Sequence, residues 1–277
     1  MNFSSIFIPA IIITAIISLV IARYHIEKRI KVPPLLIGTA QAKGDREEQE
    51  DSFSSIENES GFLAVLADGM GGFSSGKEAS EFVVTAFLEE FTKNYYINPI
   101  NDFLINTTYM SNYNLVKMAK GEHMGTTLVA VIIKDGLLYW VSVGDSQIYL
   151  FKNKYLHQIN QRHTYAITLQ EACKKGEITR EMARNHPKRD RLISYLGYKD
   201  FHLLDYSKTP IELSKGDKII LCSDGIYNSL SNSELQEILS SHQYQAEKDA
   251  DAILERIIAK NISNQDNATV LVIEKTQ

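Results

Sequence analysis

Acidic side chains recur at the ends of apolar segments in this 277-residue sequence. Asp68, Asp145 and Asp224 each follow an apolar run, Asp266 stands just before the last run, and Glu50-Asp51 precedes the first. Any one of these residues fits an ordinary turn, because Asp readily bonds to the backbone of its own turn. A carboxylate at the edge of a core is costly, however, unless it is paired or bound to a metal. Since no comparable set of His or Cys accompanies them, the set suggests an all-oxygen site for hard cations such as Mg²⁺ or Mn²⁺, if the segment ends converge.

The apolar segments themselves predict the elements that would position these carboxylates. Runs rich in β-branched and aromatic residues predict strands at 62–66, 127–133, 137–143, 148–151, 219–222 and 268–273. Lys134-Asp135-Gly136 and Lys152-Asn153-Lys154 are typical of hairpin turns, and consecutive hairpins imply antiparallel sheets. Helical spacing of apolar residues occurs at 79–91, after the capping box 231–234, and at 250–258, with Ile258 included in the last stripe. Hairpin strands with separate helices predict a layered α+β fold.

Composition excludes some classes of function. The hydrophobic fraction of 44% is that of a globular protein, and the formal net charge of -5 gives no reason to expect nucleic-acid binding. Cys173 and Cys222 lie far apart and favour a reducing compartment without disulfides. Neither cysteine belongs to a Cys-x5-Arg motif, so a cysteine phosphatase is excluded. Cys222 and Trp140 are interpreted as core residues, and the lone His163 as structural or exposed.

The N-terminus differs in composition from the rest of the chain. Residues 1–22 carry no charge, and a bilayer core is spanned by about 20 apolar residues. Basic residues follow directly, at Arg23, Lys28, Arg29 and Lys31. The pattern predicts a single-pass transmembrane anchor over residues 1–24, a basic, Pro-containing linker over 25–35, and a domain over 36–277 on the cytoplasmic side. The alternatives are a cleaved signal peptide and a buried core helix.

Short motifs in a fixed order carry a family resemblance. They are 44–51, 67–72 with 76–80, Gly125-Thr126-Thr127, Gly144-Asp145-Ser146, Ser223-Asp224-Gly225 and 266–269. From about residue 36 to its end, the chain therefore resembles the metal-dependent, type-2C Ser/Thr protein phosphatases, in particular their bacterial branch. The stretch from 176–179 through His186-Pro187 to Leu196-Gly197 resembles the flap region of the bacterial members. The resemblance implies a four-layer α-β-β-α sandwich, in which two antiparallel sheets are flanked by helices.

The resemblance also implies roles for individual residues. Asp51, Asp68, Asp224 and Asp266 would be carboxylate ligands of a centre holding two Mn²⁺ or Mg²⁺ ions, with the backbone carbonyl of Gly69 as a further ligand. Glu50 would be an outer-shell carboxylate, and Asp145 together with Asp224 would form a weaker third-metal site. Arg46 would bind the substrate phosphate, because a guanidinium can hold two phosphate oxygens at once.

The sequence departs from the family pattern at several positions. Gln49 stands where Asn is usual, Gln147 stands where Arg often follows Gly-Asp-Ser, and 160–164 reads Asn-Gln-Arg-His-Thr instead of Thr-x-Asp-His-Ser. Met70 occupies a position where some members have a His that is a candidate general acid. No predicted ligand is lost, so the departures, including Arg162, bear on substrate preference and flap behaviour.

The predicted activity is direct hydrolysis of phosphoserine and phosphothreonine on proteins, with a water bridging two metal ions as the nucleophile. The expected partners are phosphorylated proteins, among them Ser/Thr kinases and their substrates, at the inner face of the membrane, and the catalytic domain is expected to be monomeric. One alternative is a catalytically silent scaffold that binds phosphoproteins. Another is a regulator that dephosphorylates a single dedicated protein.

Overall fold

In the computed structural model, strands joined by hairpin turns are interspersed with helices. The structure describes residues 33–71, 75–94, 96–120 and 123–277. The strands are β1 (Leu35–Ala42), β2 (Asp51–Asn58), β3 (Gly61–Met70), β4 (Gly125–Thr126), β5 (Leu128–Lys134), β6 (Leu137–Val143), β7 (Gln147–Lys152), β8 (Tyr155–Gln158), β9 (Asp205–Tyr206), β10 (Ile211–Glu212), β11 (Lys218–Cys222) and β12 (Ala268–Lys275). Each strand predicted from an apolar run is present.

These strands form two antiparallel sheets. One sheet has the order β1-β12-β11-β7-β8, and the other has the order β10-β6-β5-β3-β2, with β4 paired to β3 and β9 to β6. The predicted hairpin turns join β5 to β6 and β7 to β8. Asp135 and Gly136 have φ of 52° and 76°, as a two-residue turn that matches the strand twist requires.

Helices accompany the sheets. They are α1 (Ser75–Lys93), α2 (Ile100–Met118), α3 (Ala166–Lys174), α4 (Arg180–Arg184), α5 (Asp224–Tyr227), α6 (Asn232–Ser241) and α7 (Ala246–Lys260). The predicted capping box at the start of α6 is formed, since Ser231 Oγ accepts from the backbone N–H of Glu234 while the Glu234 carboxylate accepts from the backbone of Ser231.

The layers follow from the two-residue period of the strands. On β3, Phe62, Ala64 and Leu66 face the core between the two sheets, whereas the intervening residues face α1 and α2. On β12, the odd positions 271 and 273 join the same central core, and the even positions pack against α6 and α7. The result is the predicted α+β sandwich of two antiparallel sheets flanked by helices, and this prediction is confirmed.

Some local predictions differ from the structure. The helix α2 was not predicted, and neither were β1 and β2. Glu50 therefore precedes the second strand and not the first, and Asp51 is the first residue of that second strand. Ile258, assigned to the apolar stripe of α7, is 64% exposed because it lies past the buried face of that helix. Trp140 and Cys222 are buried in the core as predicted.

The predicted anchor over residues 1–24, and the linker up to residue 32, lie outside the described residues. Within the part of the chain that the structure does describe, no helix is both long and apolar enough to cross a bilayer. Residues Leu35–Lys275 belong to one compact unit.

Candidate metal centre

The ends of four strands, two from each sheet, meet at one end of the sandwich. In the sheet that contains β2 and β3, Asp51 at the start of β2 lies directly opposite Asp68 on β3. In the other sheet, β11 and β12 run antiparallel, so Asp224 after β11 and Asp266 before β12 lie at the same edge. The carboxylates predicted from strand ends are therefore brought together.

Asp51 joins the two sheets. Its Oδ2 accepts hydrogen bonds from Ser223 Oγ at 2.8 Å and from Thr269 Oγ1 at 2.6 Å, both on the opposite sheet. Its Oδ1 is buried and has no hydrogen-bond partner among the described residues. Burial raises the pKa of Asp51 to about 6, although the two hydroxyl hydrogen bonds act in the opposite direction. The side chain is thus a buried carboxylate with one oxygen left for a further ligand.

Asp68 is surrounded by the other acidic groups. Burial raises its pKa well above the ordinary value, and the negative charges of Asp51, Asp224, Asp145 and Asp266 raise that pKa further. The backbone of Asp68 is fixed by the two threonines that follow Gly125. Its N–H donates to Thr127 Oγ1 at 3.0 Å, and its carbonyl accepts from Thr126 Oγ1 at 2.9 Å.

Gly69 lies where three backbone segments approach one another. Its N–H donates to the carbonyl of Glu50 at 3.2 Å. A Cβ at this position would lie 2.2 Å from the carbonyl oxygen of Gly76 and 2.7 Å from that of Glu50, so no larger residue fits. The glycine is therefore required by the close approach of the backbone around the predicted ligands.

Glu50 is held beside this set through its main chain. Its N–H donates to Asn267 Oδ1 at 2.8 Å, and its carbonyl accepts from Ser80 Oγ at 2.6 Å. Burial raises the pKa of Glu50, while the positive charge of Arg46 acts against the increase. The carboxylate lies close enough to Asp266 and Asp51 for their charges to raise its pKa further, and its outer-shell role stays a prediction.

Asp224 and Asp266 complete the set on the second sheet. Burial raises the pKa of Asp224 to about 7, and the charges of Asp145, Asp266 and Asp51 add to the effect. Asp266 Oδ2 accepts from Arg46 Nη2 at 2.5 Å, and its Oδ1 accepts from the N–H of Asn267 at 2.8 Å. The side chain of Arg46 is 56% exposed, so the predicted phosphate-binding guanidinium lies at the open side of the cluster.

Asp145, assigned to a third metal, has a cationic neighbour in the protein itself. Arg162 Nη2 lies 3.7 Å from Asp145 Oδ2. Burial raises the pKa of Asp145, and the charge of Arg162 counters that increase. The nearby His163 is buried, and its Nδ1 accepts the N–H of Gly144 at 3.2 Å, which agrees with a structural role.

The charge of the predicted ligands suits a divalent cation better than their positions in this structure do. Among the described residues, no three or more His, Cys, Asp or Glu side chains stand in an arrangement that would hold a metal ion. Part of the set is engaged elsewhere: Arg46 binds Asp266, and hydroxyl groups occupy one oxygen of Asp51. The unpartnered Oδ1 of Asp51 and the mutual repulsion around Asp68 are the features that bound cations would relieve.

Supporting residues to which sequence analysis gave no role hold the cluster together. Asn267 Nδ2 donates to the carbonyls of Lys43 at 2.8 Å and Glu48 at 3.0 Å, and so fixes the loop that carries Arg46 and Glu50. The supporting residues Ser223, Asn267 and Thr269 lie within the sequence motifs that contain Asp224 and Asp266, and this position is what could have identified them.

The two glutamines that depart from the family pattern, Gln49 and Gln147, differ in how their side chains are bonded. Gln49 Oε1 accepts the N–H of Asp51 at 3.1 Å, and its Nε2 donates to the carbonyl of Ala42 at 3.1 Å. Gln147 is buried in β7, and its Oε1 has no hydrogen-bond partner among the described residues. The end of the predicted flap region is tied beside Gly69, because Leu196 exchanges backbone hydrogen bonds of 2.9 and 3.0 Å with Thr126.

Comparison with known proteins places the chain among phosphatases. The family model of protein phosphatase 2C matches residues 37–260. The serine/threonine phosphatase stp of Listeria monocytogenes is 34% identical over 238 residues, which are 83% of this chain and 91% of that protein. Protein phosphatase PhpP of Streptococcus pneumoniae is 30% identical over 222 residues, or 78% of this chain and 86% of that protein.

Solved structures show the same relationship. The serine/threonine phosphatase of S. agalactiae superposes with a TM-score of 0.77 at 25% identity, covering 88% of this chain and all (100%) of that one. The catalytic domain of the phosphatase PstP in complex with two manganese ions gives a TM-score of 0.70 at 28% identity, covering 88% and 99%. Phosphatases of this class use Mn²⁺ or Mg²⁺, in agreement with the cofactor predicted from the acidic set. The chain belongs to the protein phosphatase 2C family and is a Ser/Thr protein phosphatase of that class.

Proposed function

We propose that this phosphatase hydrolyses phosphoserine and phosphothreonine on proteins at a two-metal centre formed by Asp51, Asp68, Asp224 and Asp266. The observation that carries the proposal is the meeting of these carboxylates at one end of the sandwich, where the pKa values of Asp51, Asp68 and Asp224 are raised. Asp51 Oδ1 has no hydrogen-bond partner in the described part of the chain. Carboxylate oxygens are the ligands that Mn²⁺ and Mg²⁺ prefer.

The side chains would hold the ions from both sheets. Asp51 and Asp68 contribute from β2 and β3, and Asp224 and Asp266 contribute from the loops next to β11 and β12. The carbonyl of Gly69 is a further donor. When bound, two such ions lower the pKa of a shared water and offset negative charge on the phosphoryl group. The PstP domain with two manganese ions supports this stoichiometry by relationship.

Arg46 would bind and orient the phosphate. Its guanidinium lies at the open side of the cluster and contacts Asp266. It can therefore bind a phosphate from solvent while it keeps its contact with Asp266. A guanidinium donates to two phosphate oxygens and does not lose its charge, which suits a group that must stabilise the transferring phosphoryl.

Met70, next to Gly69, has no titratable group, so the proton for the leaving serine would come from water.

We further propose a location at the inner face of the membrane, where the enzyme opposes Ser/Thr kinases. Support comes from the uncharged residues 1–22 and the basic residues that follow, a pattern typical of an anchor with its C-terminal side in the cytoplasm. A catalytically silent scaffold is disfavoured because every predicted ligand is present.

The test of the proposed activity is phosphopeptide hydrolysis by the full-length chain in detergent. We expect turnover of phosphoserine and phosphothreonine peptides with added Mn²⁺ or Mg²⁺, complete loss in excess EDTA, and recovery when Mn²⁺ is restored. A phosphotyrosine peptide of the same sequence controls for the class of residue. Undiminished turnover in excess chelator would exclude the two-metal mechanism, and no turnover with any metal would favour the scaffold.

A further inference from the structure

The backbone on both sides of Arg162 is bound to the turn that carries Asp145. This turn comprises residues 144–146. His163 donates its N–H to the first carbonyl of the turn at 2.7 Å, and its Nδ1 accepts the first N–H at 3.2 Å. Asn160 Nδ2 donates to the last carbonyl of the turn at 2.9 Å. Because residues on either side of it are anchored in this way, Arg162 is held opposite Asp145 by the fold and not by its own side chain alone.

The guanidinium of Arg162 has neighbours on three sides. Its Nη2 lies 3.7 Å from Asp145 Oδ2 and 3.7 Å from Asp190 Oδ1, and its plane lies over the ring of Tyr227 at 4.7 Å from the centroid. The Arg162 side chain is 26% exposed, and Asp145 is 8% exposed as a residue. The attraction of the guanidinium to the aromatic ring and to the two carboxylates offsets the free energy of holding the arginine side chain in one position.

A divalent cation bound to Asp145 would have to share this space. Mg²⁺ binds carboxylate oxygens at about 2.0–2.1 Å, so it would lie within a few ångströms of the guanidinium. Two positive groups that close, in a site largely shielded from solvent, repel strongly because salt screens partly buried charges only weakly. The residues around Asp145 therefore fit a protein cation, and they do not fit the third metal ion implied by the family resemblance.

We propose that Arg162 supplies the positive charge at Asp145 in place of a third divalent cation, so that this phosphatase binds two metal ions and not three. The proposal rests on the proposed two-metal function. Arg162 is a positioning residue, since it acts through Asp145 and through Asp190 of the flap region. It stands where the resembling family has Asp, a ligand type, and this exchange reverses the charge at that point of the site.

Counting bound Mn²⁺ tests the proposal directly. Calorimetric titration of the full-length protein in detergent is expected to give two ions for the wild type and for Arg162→Lys, which keeps the charge. Arg162→Gln, which keeps much of the length but no charge, should bind a third ion, and Arg162→Asp should bind it more tightly. Adding Asp145→Asn to Arg162→Gln or to Arg162→Asp should remove the third ion. Arg180→Ala, at an exposed arginine of α4, is the matched control and should remain at two.

The outcomes separate this inference from the proposed function. A third Mn²⁺ in the wild type that disappears in Asp145→Asn would overturn the role of Arg162 while leaving the two-metal centre intact. So would a count of two in folded Arg162→Gln and Arg162→Asp. If both variants fail to fold by circular dichroism, the comparison of wild type with Asp145→Asn decides by itself, because equal counts of two support the proposal. A wild type that binds no Mn²⁺ refutes the proposed function instead.

Discussion

Asp51→Asn is expected to stabilise the metal-free phosphatase while abolishing its activity. In the folded chain this carboxylate is 5% exposed, lies opposite Asp68 and has an oxygen without a partner among the described residues. An Asn can still accept the hydrogen bonds from Ser223 and Thr269 through its oxygen. The substitution therefore removes the cost of burying a charge and retains the contacts between the sheets.

The size of the effect follows from the pKa of Asp51. Folding raises this pKa from 3.8 to about 6, and each unit corresponds to about 1.4 kcal/mol. Because the folded state favours the protonated form, stability from Asp51 is complete below about pH 4 and is lost as the pH rises to about 6. The gain from Asn should therefore be near zero at about pH 4 and approach about 3 kcal/mol at about pH 8.

Urea unfolding in excess EDTA, followed by circular dichroism at both pH values, measures this difference. Asp217→Asn is the matched control. Asp217 is equally buried, at 4% exposure, but its Oδ2 accepts from Lys152 Nζ at 2.7 Å and from the N–H of Ser214 at 2.8 Å. Removing a charge that has a cationic partner should destabilise the protein by about 1–3 kcal/mol at pH 8.

Adding Mn²⁺ should reverse the order of the two proteins. Metal bound only to the folded state stabilises it, so the wild type should gain far more from Mn²⁺ than Asp51→Asn does. The reasoning is refuted if Asp51→Asn is less stable than the wild type in EDTA at pH 8, or if its gain does not depend on pH.

The remaining predictions concern the other site residues and the N-terminus. Asp68→Asn and Asp224→Asn should each lower kcat by more than about 100-fold, the most that loss of an outer-shell partner usually costs, without lowering the urea midpoint in EDTA; near wild-type kcat at saturating Mn²⁺ would disprove their assignment as ligands. Arg46→Ala should raise KM for a phosphopeptide by about tenfold, as expected for one charged hydrogen bond, with a smaller loss of kcat; lost Mn²⁺ binding with intact phosphate affinity would instead show that Arg46 acts by holding Asp266. A cytoplasm-dependent reporter fused to Gln277 should be active and the protein should resist extraction by alkaline carbonate, whereas a soluble mature protein beginning after residue 22 would favour a cleaved export signal.

Local sequence determined six of the strands, three of the helices and the acidic character of the candidate site. Strand alternation, the hairpin at Asp135-Gly136 and the capping box at Ser231 are encoded in consecutive residues, so they can be predicted without a structure. The acidic residues predicted to bind metal ions could be identified from the sequence for the same reason. The helix α2 was missed because its many Asn, Thr and Tyr residues have weak helix propensity and its apolar residues give only a faint stripe. Packing against the first sheet stabilises it instead.

Contacts between residues far apart in the chain were decided by tertiary structure alone. The sequence shows Asp51 and Asp68 as two separate strand ends, but the register of β2 and β3 places them opposite each other. Thr269 reaches Asp51 across 218 positions of sequence, and Arg162 reaches Asp145 because neighbouring residues bind the turn on both sides of it. A strand-end pattern specifies which side chains can ligate a cation. Only the packing of the two sheets fixes the distances between those side chains. These distances decide how strongly the carboxylates repel one another, how much their pKa values rise and which of them pair with a cationic side chain of the protein.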